Sequence, residues 1–268
     1  MKTKALALKN KLFSYEKALI AFSGGVDSTY LLYVARTVLG KNNVLAVIAE
    51  SATYPTVEVE QAIKLADQLD ANCFVIKTEE FDDENFIANS QDRCYYCKKE
   101  LFAKLKKTAS EKGFPHVLDG SNHDDLSDFR PGSRAKKEFG IRSPLQELGF
   151  TKNEIRQLSR EAGLPTHNKP AMACLASRIP YGTRIDEAVL KMIFEGEEYL
   201  RSLGFGQLRV RHHASIARIE VDKEAVPKLM EQGIMDQIVK KFESLGYVYV
   251  TLDLKGYRTG SMNEKLDG

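Results

Sequence analysis

The sequence predicts an α/β chain, a doubly wound parallel sheet followed by a second, smaller α+β domain. Three observations carry this. Short apolar runs without polar alternation recur between helical patterns through the first half, as strands covered by helices on both faces do. A glycine pair separates the first such run from the first long helical pattern, where an open sheet binds its ligands. Beyond Pro180 the order changes to helix, two strands, helix and strand, an α+β arrangement. The expected domains are 1–180 and 181–268, with the break near Arg178–Gly182.

The elements follow in order. Leu19–Phe22 is the first apolar run, and Asp27–Leu39 reads as a mostly apolar helix closed by Gly40. Val44–Ala49 is the second strand, followed by a helix over Thr56–Leu69, a strand at Cys73–Ile76 and a fourth at His116–Asp119. Thr151 and Glu154 have capping-box spacing, with Ile155, Leu158 and Ala162 along one face and Gly163 at the end. A polar, proline-marked stretch runs from Pro165 to Pro180. Asp186 then caps a helix that ends at Gly204, and strands are expected at Leu208–His212, Ile216–Val221 and Tyr247–Leu252.

At 268 residues, 43% hydrophobic and 28% charged, the chain is long enough to bury a full core without disulfide or metal staples. A net charge of +2 argues against a dedicated nucleic-acid coat. No apolar run approaches the ~20 residues of a membrane span, and Ala5–Leu8 is too short for a signal peptide. A cytoplasmic location is expected, with four cysteines to be read singly rather than as a disulfide framework.

Ser23, Gly24, Gly25, Val26, Asp27 and Ser28 form the clearest motif. Two glycines let the backbone approach a ligand, and the helix that follows offers free N–H groups and a positive dipole end to an anion. The bland alternative is a tight turn with capping serines. No Gly-Lys-Ser/Thr follows, so this is not the usual ATP-hydrolysing P-loop. Asp27 fits an anion cradle only if it holds a divalent metal or a helix-terminal N–H.

The string resembles the pyrophosphate-binding (PP) loop of the N-type ATP pyrophosphatases, whose shared chemistry is adenylation of a substrate oxygen and whose fold is adenine nucleotide alpha hydrolase-like. Further strings narrow the resemblance: Arg93–Lys98, Leu118–Asn122, Asp128–Gly132, Cys174–Gly182 and Asp253–Asn263. Together they are similar to the LarE-type, ATP-dependent pyridinium-3,5-biscarboxylic acid mononucleotide sulfurtransferases, which make the thiolated ligand of the nickel-pincer nucleotide of lactate racemase. The resemblance implies ATP and Mg²⁺ as cofactors, a pyridinium nucleotide as substrate, sulfide or another sulfur donor as partner, and a homo-oligomer. It implies catalytic roles for Lys98, Ser177 and Arg178; Glu197 joins them as a catalytic candidate from its own place in the sequence pattern, and Asp119 and Gly120, ending the fourth strand, would face the ATP pocket of such a fold.

Cys94 and Cys97 form a Cys-x-x-Cys bite suited to one metal centre. Cys73 reads as core. Cys174 is a third thiol, and three thiolates would leave one iron of a 4Fe–4S cluster open to carry sulfide. The alternatives are zinc with His167 as fourth ligand, or unligated thiols. In one family subtype a single linker cysteine is consumed as sulfur donor, five positions before the arginine corresponding to Arg178. Here that position is Ala173, and Cys174 lies four before. The three-cysteine pattern therefore implies the cluster subtype, with Cys94, Cys97 and Cys174 as metal ligands.

Arg209 and Arg211 alternate on a strand and share a face. Spacing alone reads as an exposed polar face, whereas the resemblance implies a substrate and phosphate grip. Glu197 sits on the apolar face of its helix and needs a partner such as Arg178, Arg209 or a metal, unless the amphipathic phase slips there. Asp124, Asp125 and Asp128 read as a solvated loop, and Tyr95 and Tyr96 as packing or as a stacking surface for a pyridinium ring. The rivals are a tRNA thiolase, which needs a broader basic surface, an ammonia-using synthetase, which needs no such cysteines, and a non-catalytic adenylate sensor.

Overall fold

A computed structural model describes residues 1–126, 131–170 and 174–258. The chain forms two compact units, Met1–Phe86 with Gln91–Met172, and Ile87–Ser90 with Ala173–Gly268. Parts of the motif strings at 128–130 and 259–263, and Ala173, lie outside the described residues.

The first unit runs α1 (Lys2–Phe13), β1 (Ala18–Ala21), α2 (Val26–Leu39), β2 (Val44–Glu50), α3 (Thr56–Gln68) and β3 (Asn72–Lys77). A single turn, α4 (Glu84–Ile87), leads to α5 (Arg93–Glu111), β4 (His116–Leu118), α6 (Gly132–Glu138), α7 (Pro144–Glu147) and α8 (Lys152–Glu161). The strands are parallel in the order β3-β2-β1-β4, with Ala18 opposite both Val44 and His116. The continuous apolar runs have a direct cause. Ala18, Ile20, Val44, Ala46 and Ile48 enter one core with Leu31, Phe150 and Ile155, while Leu19, Leu45 and Val47 enter another with Phe102, Leu105 and Val117. Successive side chains point to opposite faces, and here both faces are buried. Each fully buried leucine or isoleucine contributes about 1.5–3 kcal/mol.

β3 is the edge strand, and its cover is thinner. Phe74 is 40% exposed and Cys73 only half-buried, so Cys73 packs against the rim of the core rather than within it. The capping box forms as its spacing requires. The Thr151 hydroxyl accepts from the Glu154 N–H at 3.3 Å, and Glu154 accepts from the Thr151 N–H at 2.9 Å.

The second unit runs α9 (Glu187–Ser202), β5 (Leu208–His213), β6 (Ile216–Val221), α10 (Val226–Leu229), α11 (Gln232–Ser244) and β7 (Tyr249–Leu252). β5 and β6 pair antiparallel, and β7 lies parallel to β6. Asp186 caps α9 through the N–H groups of Ala188 and Val189, at 2.7 and 3.3 Å. Leu200, Phe205, Val210, Ile219 and Phe242 form the core.

The division falls at 172/173, ahead of the 180/181 break expected from the sequence, for two physical reasons. The turn Leu175–Arg178 is held to α9 by an Arg178–Glu197 ion pair. The unit also includes residues 87–90, through the fully buried Asn89. Its side chain donates to the carbonyls of Pro180 and Thr183, both at 2.8 Å, and its carbonyl accepts from the Gly182 N–H at 2.9 Å. Among the described residues no helix is long and apolar enough to cross a membrane.

Candidate active site

The loop Ser23–Ser28 links β1 to α2, at the carboxyl end of a central strand. Gly24 has φ +67°, and a Cβ there would lie 3.1 Å from that of Ala62. Both conformation and space therefore require glycine. Gly25 precedes α2 without any side-chain cap, so the N–H groups of Val26, Asp27 and Ser28 have no partner within the helix. The Ser23 and Ser28 hydroxyls lie 3.2 Å apart, and Ser28 donates to the Gly25 carbonyl at 3.3 Å. Gly120, two residues past β4, lies so close that a Cβ would come 2.8 Å from the Ser28 nitrogen.

This loop opens into a cavity of about 490 Å³ over the carboxyl ends of the four strands, lined also by Ala49, Thr78, Cys97, Lys98 and Asp119. That volume suits a nucleotide-sized ligand. Asp27 is not solvent-facing. Its side chain is 18% exposed and pairs with Lys152. Burial pushes its carboxyl up, and Lys152 restrains part of that rise. The other oxygen, Oδ1, is buried with no hydrogen bond within 3.5 Å among the described residues, although the Asn122 side chain is near enough to help lower the carboxyl; such an acceptor fits a divalent cation. Lys169 pairs with Glu58 at 2.8 Å on the same cavity. Asp119 accepts from the Ser143 and Ser121 hydroxyls at 2.5 and 2.8 Å. Asp124 and Asp125 also line the cavity and accept from the N–H groups of Lys152 and Asn122, so they cap local backbone.

Cys94 and Cys97 lie in the first two turns of α5, three residues apart and so on neighbouring positions of one face. Cys94 is exposed and Cys97 half-buried. Lys98 follows, with its ammonium 5.8 Å from the Phe102 ring. Tyr95 is occupied by packing, with the Arg134 guanidinium 3.7 Å from its ring centroid and its hydroxyl donating to Glu138 at 3.0 Å. His167 sits with Nδ1 2.9 Å from the Leu164 carbonyl. Among the described residues no three His, Cys, Asp or Glu side chains gather to hold a metal ion.

The second unit contains Cys174, Ser177, Arg178, Glu197, Arg209 and Arg211. Glu197, 1% exposed, accepts from Arg178 through Nε and Nη2 at 2.9 and 3.0 Å, from Arg201 at 3.0 Å and from the Val210 N–H at 3.2 Å. Burial pushes its carboxyl up, but the arginines, Arg178 first, outweigh this and hold it below the usual range. The arginine face is buried rather than exposed. Arg209 is 8% and Arg211 5% accessible. Arg211 bonds Glu220 at 2.9 Å and the Ser177 carbonyl at 3.0 Å. The Arg209 guanidinium lies 5.1 Å from the Tyr257 ring, and burial, then Arg178, lower its pKa. The Arg178 Nη1 reaches the Cys174 carbonyl at 3.0 Å and the Ser177 hydroxyl at 3.1 Å. Hydrogen bonds thus tie Ser177, Arg178, Glu197 and Arg211 into one cluster, with Cys174 joined through its carbonyl, and Arg209 lies within electrostatic reach of Arg178 and Glu197.

Sequence reasoning missed Lys152, Lys169 and Glu80 as cavity residues. Lys152 was visible only as the first residue of a capped helix, and Glu80 only as one acid in a run of them.

Residues 3–107 match the NAD synthase family. An uncharacterized protein of Synechocystis sp. is 44% identical over 94% of this chain and 93% of its own length. The pyridinium-3,5-bisthiocarboxylic acid mononucleotide synthase of Lactiplantibacillus plantarum is 40% identical over 98% of this chain and 95% of its own. An uncharacterized protein of Methanocaldococcus jannaschii is 33% identical over 96% of this chain and 98% of its own.

Proposed function

The chain belongs to the LarE family, that of the pyridinium-3,5-bisthiocarboxylic acid mononucleotide synthases, and on that premise we propose that it is an ATP-dependent sulfurtransferase acting on a carboxylate of pyridinium-3,5-biscarboxylic acid mononucleotide. The observation that carries the reading is that one cavity is lined both by the anion loop Ser23–Ser28 and by Cys97 and Lys98. A nucleotide phosphate site and a sulfur-bearing side chain meet there.

In this reading the amides of Val26, Asp27 and Ser28 and the hydroxyls of Ser23 and Ser28 hold the departing pyrophosphate. Lys152 and Lys169 add positive charge. Asp27, with its unpartnered oxygen, would hold a magnesium ion, whose charge would offset that of the leaving group. The substrate carboxylate oxygen forms a bond to the α-phosphorus as the bond to the β-phosphate oxygen breaks. A sulfur nucleophile then forms the C–S bond as the C–O bond to AMP breaks, leaving a thiocarboxylate. Arg209 and Arg211 grip the substrate's anionic groups, and the Arg178–Glu197 pair positions the segment carrying Ser177. The sulfur source we propose is a 4Fe–4S cluster on Cys94, Cys97 and Cys174, which would present sulfide on the iron without a protein ligand. The shared face of Cys94 and Cys97 and the three-cysteine pattern support it.

The test is pyrophosphate release from ATP under anaerobic conditions, with the pyridinium biscarboxylate nucleotide, with unmodified tRNA or with no acceptor. Release only with the pyridinium nucleotide supports the reading. Release only with tRNA would replace it by a tRNA thiolase.

A further inference from the structure

Glu80 is a buried carboxylate that the chemistry above does not use. It follows β3 in the turn Glu80–Asp82, is 2% exposed and lines the nucleotide cavity. Its Oε1 accepts from the hydroxyls of Ser51 and Thr53. Its Oε2 is buried with no hydrogen-bond partner among the described residues. A carboxylate oxygen left unpaired at this depth costs desolvation energy unless a ligand supplies the donor.

The fold says which end of the ligand this oxygen meets. Glu80 follows β3, two strands or about 10 Å across the sheet from β1 and its phosphate loop, and the Ser51 and Thr53 hydroxyls, past the end of β2, hold its carboxylate there. A phosphate would be repelled there. The same cavity is also lined by the apolar Ala49, Leu101 and Phe102, which suit a flat heterocycle. Only one oxygen lacks a partner, which fits a single N–H donor better than a ribose diol, since a diol is gripped by two. We propose that Glu80 reads the base of the nucleotide by accepting a hydrogen bond from the 6-amino group of adenine, and so selects ATP against 6-oxo purine nucleotides. This rests on the cavity being the ATP site. An acceptor-only group facing a 6-oxo group leaves two acceptors opposed, the kind of mismatch that discriminates strongly in a buried site.

The test is calorimetric binding of ATP, inosine triphosphate, 2′-deoxyATP and 3′-deoxyATP, each with Mg²⁺, to the wild type and to Glu80→Gln. Wild type should bind inosine triphosphate ~30-fold or more weaker than ATP. In Glu80→Gln a carboxamide oxygen still serves Ser51 and Thr53, while its NH₂ donates to a 6-oxo group. That variant should lose ~10-fold or more in ATP affinity and bring the two nucleotides within ~3-fold of each other. The wild-type comparison needs no folded variant, and equal wild-type affinity for ATP and inosine triphosphate overturns the proposal by itself. Unchanged selectivity in Glu80→Gln also overturns it, as does loss of discrimination against the deoxynucleotides instead, which would make the partner a ribose hydroxyl. Failure of wild type to bind any of the four would refute the ATP reading of the cavity, and the role of Glu80 with it. Binding of ATP without base selectivity refutes the role of Glu80 alone.

Discussion

Substituting Gly120 by alanine tests where the phosphates sit. The added Cβ would lie 2.8 Å from the Ser28 nitrogen, 3.0 Å from its Cα and 3.2 Å from the Asp27 carbonyl carbon. All three are backbone atoms, so no flexible side chain can swing away. Restoring an ordinary contact of about 3.4 Å requires a shift of about 0.6 Å between the end of β4 and the first turn of α2. That shift carries N–H···O bonds of about 2.9 Å out to about 3.5 Å, the edge of useful geometry. Two charge-assisted bonds weakened in this way, at about 1.5 kcal/mol each, give about 3 kcal/mol, or roughly 100-fold in ATP affinity. The stability cost of overpacking is about 1–3 kcal/mol. Calorimetric titration with MgATP reads the first quantity and urea unfolding the second. Gly206→Ala is the control, since a Cβ there meets nothing within 4 Å. ATP affinity within threefold of wild type in a folded Gly120→Ala protein would refute the placement of the phosphates on this loop.

Three further outcomes are expected. Glu197→Ala should destabilise the second unit by about 3–5 kcal/mol, because Arg178, 3% exposed, loses its partner; urea unfolding followed at a probe in that unit measures it. The Glu147 carboxyl is pulled down to about 2, chiefly by its hydrogen bond with Arg142. A depressed folded pKa contributes stability that is fully present above the unfolded value near 4.5 and is lost as pH falls toward 2; urea midpoints at pH 5 and pH 3 should therefore converge in Glu147→Gln relative to wild type. Cys94→Ala and Cys174→Ala should each abolish thiocarboxylate formation while pyrophosphate release persists, and the intact mass of the wild-type chain should be unchanged after many turnovers; a wild-type loss of about 34 Da, hydrogen sulfide, would instead make Cys174 a consumed donor.

The strands were legible in the sequence because β1 and β2 are covered on both faces, which leaves an unbroken apolar string. β3 was legible as a strand but not as an edge, since neither Cys73 nor Phe74 encodes how far the helices extend over it. The 19-residue α5 was obscured because its lysines outnumber the buried Phe102, Leu105 and Ala109. The loop and its glycines could be read because backbone geometry there admits few residue types. The misphased Glu197 signalled a buried partner, and that partner is Arg178. Glu80 gave no such signal, because its burial depends on Ser51 and Thr53, nearly thirty residues away. Asn89 was silent for the same reason, its acceptors lying more than ninety residues downstream.

That last separation has a consequence for synthesis. The chain builds about half of the first unit, passes through 87–90, and returns to begin the cysteine-bearing helix. The carbonyls that receive the Asn89 amide, those of Pro180 and Thr183, are 91 and 94 residues away. At a translation rate of ~5–20 residues per second they leave the ribosome roughly 5–20 s later. For that interval Asn89, held at φ +54° in the finished protein, lacks these two acceptors, and the segment entering Cys94 is anchored on one side only. A ribosome-stalled chain ending near residue 172 should therefore expose 87–90 to protease, and the onset of protection should coincide with arrival of the residues around Pro180 and Thr183. Such a nascent chain presents Cys94 and Cys97 to its surroundings before its own second unit exists.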